Sequence, residues 1–189
     1  MAGTPQQPAV ALVGFMGAGK SAVGRELAGR LELPFLDTDA AIVAVAGPIA
    51  GIFEARGESG FRLLEAEVVV RELEALARVP KVLALGGGAV LSEDVRRALA
   101  RAPHVVWLTA APDVLWARVA AEGSRPLAKD EESFVALLVE REPLYRELAT
   151  VVMDTSGRAP AAVADAVVAE LAAAPASAGP RALHEEGAA

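Results

Sequence analysis

Short, almost wholly apolar runs alternate along this chain with longer stretches in which apolar residues recur every three or four positions. Ala9–Val13 is the first run, and Pro34-Phe35-Leu36, Lys81–Leu85, His104–Leu108 and Val151–Asp154 repeat the pattern. Runs this short, apolar on both sides of the strand, predict a parallel sheet buried on both faces. Between them, Val23, Leu27 and Leu31 predict a helix from about Lys20 to Leu31. Asp39 to about Arg56 has a helical pattern interrupted at Gly47-Pro48, and Phe61, Leu64, Val68, Leu73 and Leu76 predict a long helix over Glu58–Arg78. Ser92 is placed to cap a helix to about Arg101, with Glu93 and Asp94 in its first turn. Pro112 opens a helix ending near Gly123, Glu131–Leu148 continues as a helix disturbed at Pro143, and Pro160–Ala173 is the last.

Strands alternating with helices predict an α/β fold of three layers, a five-stranded parallel sheet with helices on both faces. No internal repeat or interior linker divides the chain, so residues 9–173 read as a single domain. Residues 1–8 read as a loose arm and residues 174–189 as a disordered tail.

Composition narrows the picture. The chain has 189 residues and no cysteine, so disulfides and cysteine-based metal sites are excluded. A net charge of −7 argues against a nucleic-acid or membrane-surface binder. Residues 1–8 lack the basic stretch of a signal peptide, and the longest uncharged run is too short to span a bilayer. The expected location is the cytoplasm. The two histidines, His104 and His184, suggest no metal pair, and Trp107 and Trp116 read as packing residues.

The candidate chemistry follows the strand ends. Gly14-Phe15-Met16-Gly17-Ala18-Gly19-Lys20-Ser21 fits G-x-x-x-x-G-K-[ST] between a strand and a helix. Such a loop wraps phosphates in backbone N–H groups, with Lys20 reaching the β- and γ-phosphates and the Ser21 hydroxyl ligating Mg²⁺. Lysine occurs only at positions 20, 81 and 129, which makes Lys20 more telling. Asp37 and Asp39 flank Thr38 at the end of the second strand. One can hold water of a Mg²⁺ shell while the other takes a proton from an attacking hydroxyl; the plainer reading has Asp39 capping the next helix and Asp37 in a turn. Arg62, with Glu65 three residues on, is a candidate fork for a substrate carboxylate. Gly86-Gly87-Gly88 after the third strand suggests backbone N–H groups offered to a substrate oxyanion. Arg125 lies in the polar loop Ser124–Asp130, a candidate lid. Arg141 and Tyr145 flank Pro143, and Arg118 and Arg158 are placed to meet a nucleotide base.

These segments occur in the order and spacing of a known family. GFMGAGKS, LDTD at Leu36–Asp39, GESGFRLLE at Gly57–Glu65, LGGGAV at Leu85–Val90, SRPL at Ser124–Leu127 and REPLY at Arg141–Tyr145 resemble shikimate kinase over about residues 9–173. The resemblance implies a P-loop kinase fold similar to nucleoside monophosphate kinases, with strand order 2-3-1-4-5, a helical substrate-binding region over about 38–66 and a lid over about 122–131. It implies transfer of the γ-phosphoryl group of MgATP to the 3-hydroxyl of shikimate, on the chorismate route to aromatic amino acids. Gly17, Ala18, Gly19, Lys20, Ser21 and Ala22 would hold the ATP phosphates, Ser21 would bind Mg²⁺ directly, and Asp37 would act through water. Asp39 would bind the shikimate hydroxyls and act as base, alongside Lys20 and Arg125 as catalytic residues. Arg62, Arg141 and Gly86, Gly87 and Gly88 would hold the acceptor, Arg125 would close on ATP, and Arg118 and Arg158 would lie near the adenine. Partners would be ATP or ADP and shikimate, with no nucleic acid or membrane, and the protein a monomer. The resemblance departs at Ala22, where many members have threonine. A kinase of another hydroxylated acid such as gluconate, and a nucleotide-binding module without turnover, are the alternatives. The first differs in acceptor and the second in releasing no acceptor-dependent ADP.

Overall fold

The computed structural model of the chain describes residues 8–122 and 130–173. The arm before Pro8, Arg125 with most of the expected lid, and the 174–189 tail lie outside the described residues.

Strand β1, Val10–Val13, is buried along its whole length. It lies at the centre of a five-stranded sheet with β2 (Phe35–Asp37), β3 (Val82–Ala84), β4 (His104–Thr109) and β5 (Val151–Asp154) in the order β2-β3-β1-β4-β5. All four pairings are parallel, with Val10 opposite both Val82 and His104. The order equals the one expected, and the continuous apolar runs are what a sheet covered on both faces needs. Among the described residues seven α-helices accompany it: α1 (Lys20–Leu31), α2 (Thr38–Ala46), α3 (Ile49–Ala75), α4 (Glu93–Leu99), α5 (Pro112–Glu122), α6 (Glu131–Leu148) and α7 (Pro160–Ala173). Among the described residues no single helix is long and apolar enough to cross a membrane.

The expected interruption at Gly47-Pro48 separates α2 from α3, and Gly57 (φ 68, ψ 179) breaks α3 just before the expected helix start at Glu58; that helix ends at Ala75 rather than Arg78. Two local expectations need correction. Ser92 has the extended backbone of an N-cap before α4, yet its hydroxyl makes no cap bond. Helix α6 runs through Pro143, although a proline there removes one helical N–H. Phe134, Leu138, Arg141 and Tyr145 are all buried along α6 and hold it by packing.

The apolar interior has two parts. A large cluster centres on the sheet, including Leu12, Leu27, Leu83, Leu108 and Leu115. A small one consists of Ile42 from α2 and Ile52, Phe61 and Val68 from α3. The chain turns by 95° between α2 and α3, and Phe53 stacks on Phe61 with ring centroids 4.7 Å apart. The small cluster forms between α2 and α3, and α2 leaves directly from the carboxyl end of β2, the end of such a sheet at which ligands bind.

Candidate active site

From the end of β1 the chain turns directly into the loop Gly14–Gly19. Gly17 and Gly19 hold φ values of 78 and 85, which a Cβ disfavours. At Gly17 a Cβ would also meet the Leu115 carbonyl oxygen at 2.7 Å. Gly19 precedes α1 without any side-chain cap. The first N–H groups of that helix, and the positive end of its dipole, therefore suit an anion. Lys20 Nζ donates to the carbonyls of Gly14 and Phe15, both at 2.9 Å, which ties its ammonium to the loop.

Asp37 ends β2, and its two carboxylate oxygens serve different elements. Oδ1 accepts the backbone N–H groups of Asp39 at 3.0 Å and Ala40 at 3.4 Å, capping α2. Oδ2 accepts the Ser21 hydroxyl at 2.5 Å. The helix cap is thus Asp37 and not Asp39, because Asp37 has the extended backbone (φ −98, ψ 123) of a cap while Asp39 is already helical. That leaves the half-buried Asp39 side chain without a capping role. Burial first, and the charge of Asp37 second, push its carboxyl above the ordinary aspartate range; Lys20 and Arg62 draw it partly back.

The glycine run meets these side chains closely. The Gly86 N–H donates to the buried Thr38 hydroxyl at 3.0 Å. Gly86 is therefore withdrawn from the expected set of N–H groups for an oxyanion, and Gly87 and Gly88 remain its candidates. A Cβ on Gly86 would lie 2.7 Å from both Asp39 Oδ1 and Glu65 Oε1, and one on Gly88 would lie 2.1 Å from an Arg62 terminal nitrogen. Gly88→Ala is accordingly expected to displace the Arg62 guanidinium and raise the acceptor KM by about tenfold, as loss of one charge-assisted contact does. Steady-state kinetics check this, and an unchanged acceptor KM would show that Arg62 takes no part in acceptor binding.

Arg62 NH1 donates to Glu65 Oε2 at 2.7 Å, and its NH2 meets Glu58 Oε1 at 3.5 Å. Glu65 is buried; that burial pushes its carboxyl up, and Arg62 opposes the shift. Arg141, only 4% exposed, holds its guanidinium 5.5 Å from the centroid of the Phe15 ring. Arg62 Nε, Arg141 Nε and Arg141 NH1 are buried with no protein hydrogen-bond partner. Unmet buried donors are costly, and two guanidinium groups in this state suit a carboxylate that fills them.

A cleft of about 590 Å³ runs from the phosphate loop, past Ser21 and Asp37, to Asp39, Gly86 and Gly87. Gly17, Ala18, Gly19, Lys20 and Ala22 line it. Arg62, Arg141 and Gly88 stand outside this lining, joined to it through the glycine run. Arg118 and Arg158 line its other end. Arg118 is fastened there, its NH1 donating to the Gly17 carbonyl at 3.1 Å and the Thr155 hydroxyl at 3.0 Å, and its NH2 to the Thr155 carbonyl at 2.8 Å. Arg158 donates to the Ala162 carbonyl at 3.1 Å. Thr38 and Thr155 are thus parts of the site that the residue pattern did not single out. Both are small polar residues just past a strand end, and that position is the one available signal. Trp107 is buried and Trp116 packs on Phe134, as packing residues should.

The shikimate kinase family model matches residues 16–172. The chain belongs to the shikimate kinase family. Its shikimate kinase relative in Symbiobacterium thermophilum is 46% identical over 155 residues, covering 79% of this chain and 87% of that one. The shikimate kinase of Mycobacterium avium is 46% identical over 168 residues, or 87% and 93% of the two chains. Among solved structures, a shikimate kinase from Acinetobacter baumannii in complex with shikimate is 36% identical with a TM-score of 0.83, covering 89% of this chain and 94% of that one. The span matched by the shikimate kinase model takes in every candidate residue from Gly17 to Arg158, Arg125 included.

Proposed function

We infer that this protein transfers the γ-phosphoryl group of MgATP to the 3-hydroxyl of shikimate, giving shikimate 3-phosphate and ADP. One observation carries this reading: a phosphate loop and an aspartate pair share a cleft whose glycine wall leads to the buried Arg141 guanidinium and the half-buried Arg62, both with buried donors unmet. Shikimate brings a carboxylate for the guanidinium groups and vicinal hydroxyls for an aspartate.

The roles follow from placement. The Gly17–Ala22 backbone and Lys20 hold the ATP phosphates. The loss of a hydroxyl at Ala22 leaves its backbone N–H, so phosphate binding persists. Ser21 and Asp37 converge within hydrogen-bond distance, and hard oxygen donors of this kind suit Mg²⁺, with Ser21 as direct ligand and Asp37 acting through water. When bound, Mg²⁺ supplies neutralising charge to the phosphate oxygens. Arg62 and Arg141, with Gly87 and Gly88, orient the acceptor so that its 3-hydroxyl meets Asp39. The hydroxyl oxygen then bonds to the γ-phosphorus as the bridge to the β-phosphate breaks, and the proton passes to the Asp39 carboxylate. Catalysis is mainly positioning and charge neutralisation. Arg125 is assigned as the lid arginine from its place in Ser124-Arg125-Pro126-Leu127, and Arg118 and Arg158 as the adenine-side wall. All these residues come from one chain, so a monomer suffices. The use of ATP fits the cytoplasm, and the net charge of −7 fits small anions held locally better than nucleic acid.

ADP release by purified protein in MgATP is expected to depend strongly on added shikimate and not on gluconate. Release equal in the presence and absence of shikimate, with ATP bound, would overturn the acceptor assignment.

A further inference from the structure

Tyr145 has no part in the reaction as described, yet it is almost fully buried beside the site. It is 1% exposed and lies one helical turn beyond Arg141 on the same face of α6. Its ring stacks on Trp107 of β4, with centroids 6.2 Å apart and planes inclined by 25°. Its hydroxyl donates to the Gly87 carbonyl at 2.5 Å.

That bond falls on the middle of the glycine run. A trans peptide is planar, so its C=O and the following N–H point in opposite directions. Fixing the Gly87 carbonyl therefore fixes the Gly88 N–H. Next to it, the Gly86 carbonyl accepts the Ala89 N–H at 3.1 Å, which orients the Gly87 N–H in the same way. The Gly86 N–H is held by Thr38. Without Cβ atoms these peptides would otherwise turn with little resistance. Burial pushes the Tyr145 hydroxyl well above the usual phenol range, so it keeps the proton it donates.

We propose that Tyr145 is a positioning residue for the acceptor, its hydroxyl setting the plane of the Gly87–Gly88 peptide and the registry of that peptide with Arg141. The two groups that grip the acceptor from different elements then stand at one fixed separation. This rests on the reading that Gly87, Gly88 and Arg141 bind shikimate.

Tyr145→Phe removes the hydroxyl and keeps the ring. It is expected to raise the shikimate KM by about three- to tenfold, the loss of one net hydrogen bond, while the ATP KM stays unchanged. A role in stability alone would lower Tm and leave the shikimate KM where it was, and that result overturns the proposal. Wild-type protein in the same assay separates the two failures, because absence of shikimate-dependent turnover there removes the acceptor reading itself. Should the variant not fold, the chain offers a second route, since Tyr145 is its only tyrosine. Protein grown with 3-fluorotyrosine carries fluorine at that position alone. Its fluorine resonance is expected to move on addition of shikimate, and a resonance unmoved at saturating shikimate overturns the proposal.

Discussion

Asp39→Asn is expected to lower kcat by about 10²- to 10⁴-fold, the range of a positioned general base, with ATP affinity nearly unchanged. The substitution is isosteric and removes the carboxylate's charge together with its ability to take a proton. The same variant is expected to be more stable than the wild type at pH 7 without ligands. The sign follows from the raised carboxyl pKa. In the unfolded chain Asp39 titrates near its ordinary 3.8, whereas the folded site holds the proton to higher pH. The folded state is thus favoured below the unfolded value and loses that advantage as pH rises through the folded one. At pH 7 the ionised carboxylate weighs against folding, and asparagine removes the charge. Thermal unfolding should show a higher Tm for the variant at pH 7 and a shrinking difference towards pH 4. The wild-type rate should also fall off on the acid side above the ordinary aspartate pKa. Equal losses of ATP affinity and turnover would instead assign Asp39 to the nucleotide.

The second large effect is expected at Arg141. Arg141→Lys keeps the positive charge but replaces a planar fork with a point charge. Loss of paired charge-assisted hydrogen bonds should raise the shikimate KM by about a hundredfold, with the ATP KM unchanged. The lysine also loses the stacking of a guanidinium over Phe15. An acceptor KM within twofold of wild type would place the carboxylate elsewhere, with Arg62 as the remaining fork.

The parts of this molecule legible in its sequence are those set by neighbours along the chain. The phosphate loop is one continuous stretch, and the apolar runs gave all five strands to within a residue or two at each end. Helix α7 is legible at its start because Pro160 opens it. The pattern places Asp39 as the cap of α2 and Asp37 in a turn, but which aspartate caps depends on a backbone angle at residue 37, and Asp-Thr-Asp allows either. The bonds that finish the site join residues far apart in sequence: Thr38 to Gly86, Tyr145 to Gly87, and Arg118 to Gly17 and Thr155. No local period encodes such pairs. Pro143 misled for a related reason, since local propensity marks a break while burial of the surrounding face outweighs one missing hydrogen bond.

The division of the interior into two clusters gives the proposed acceptor grip one jaw in each. Arg62 is carried beside Phe61, a member of the small cluster, whereas Arg141 is anchored among residues of the sheet-centred one. The gap between the jaws can therefore be reset by changes among Ile42, Ile52, Phe61 and Val68, without repacking the strands that hold the phosphate loop. In a lineage of such proteins, the choice of acceptor and the handling of ATP are free to diverge on separate clocks.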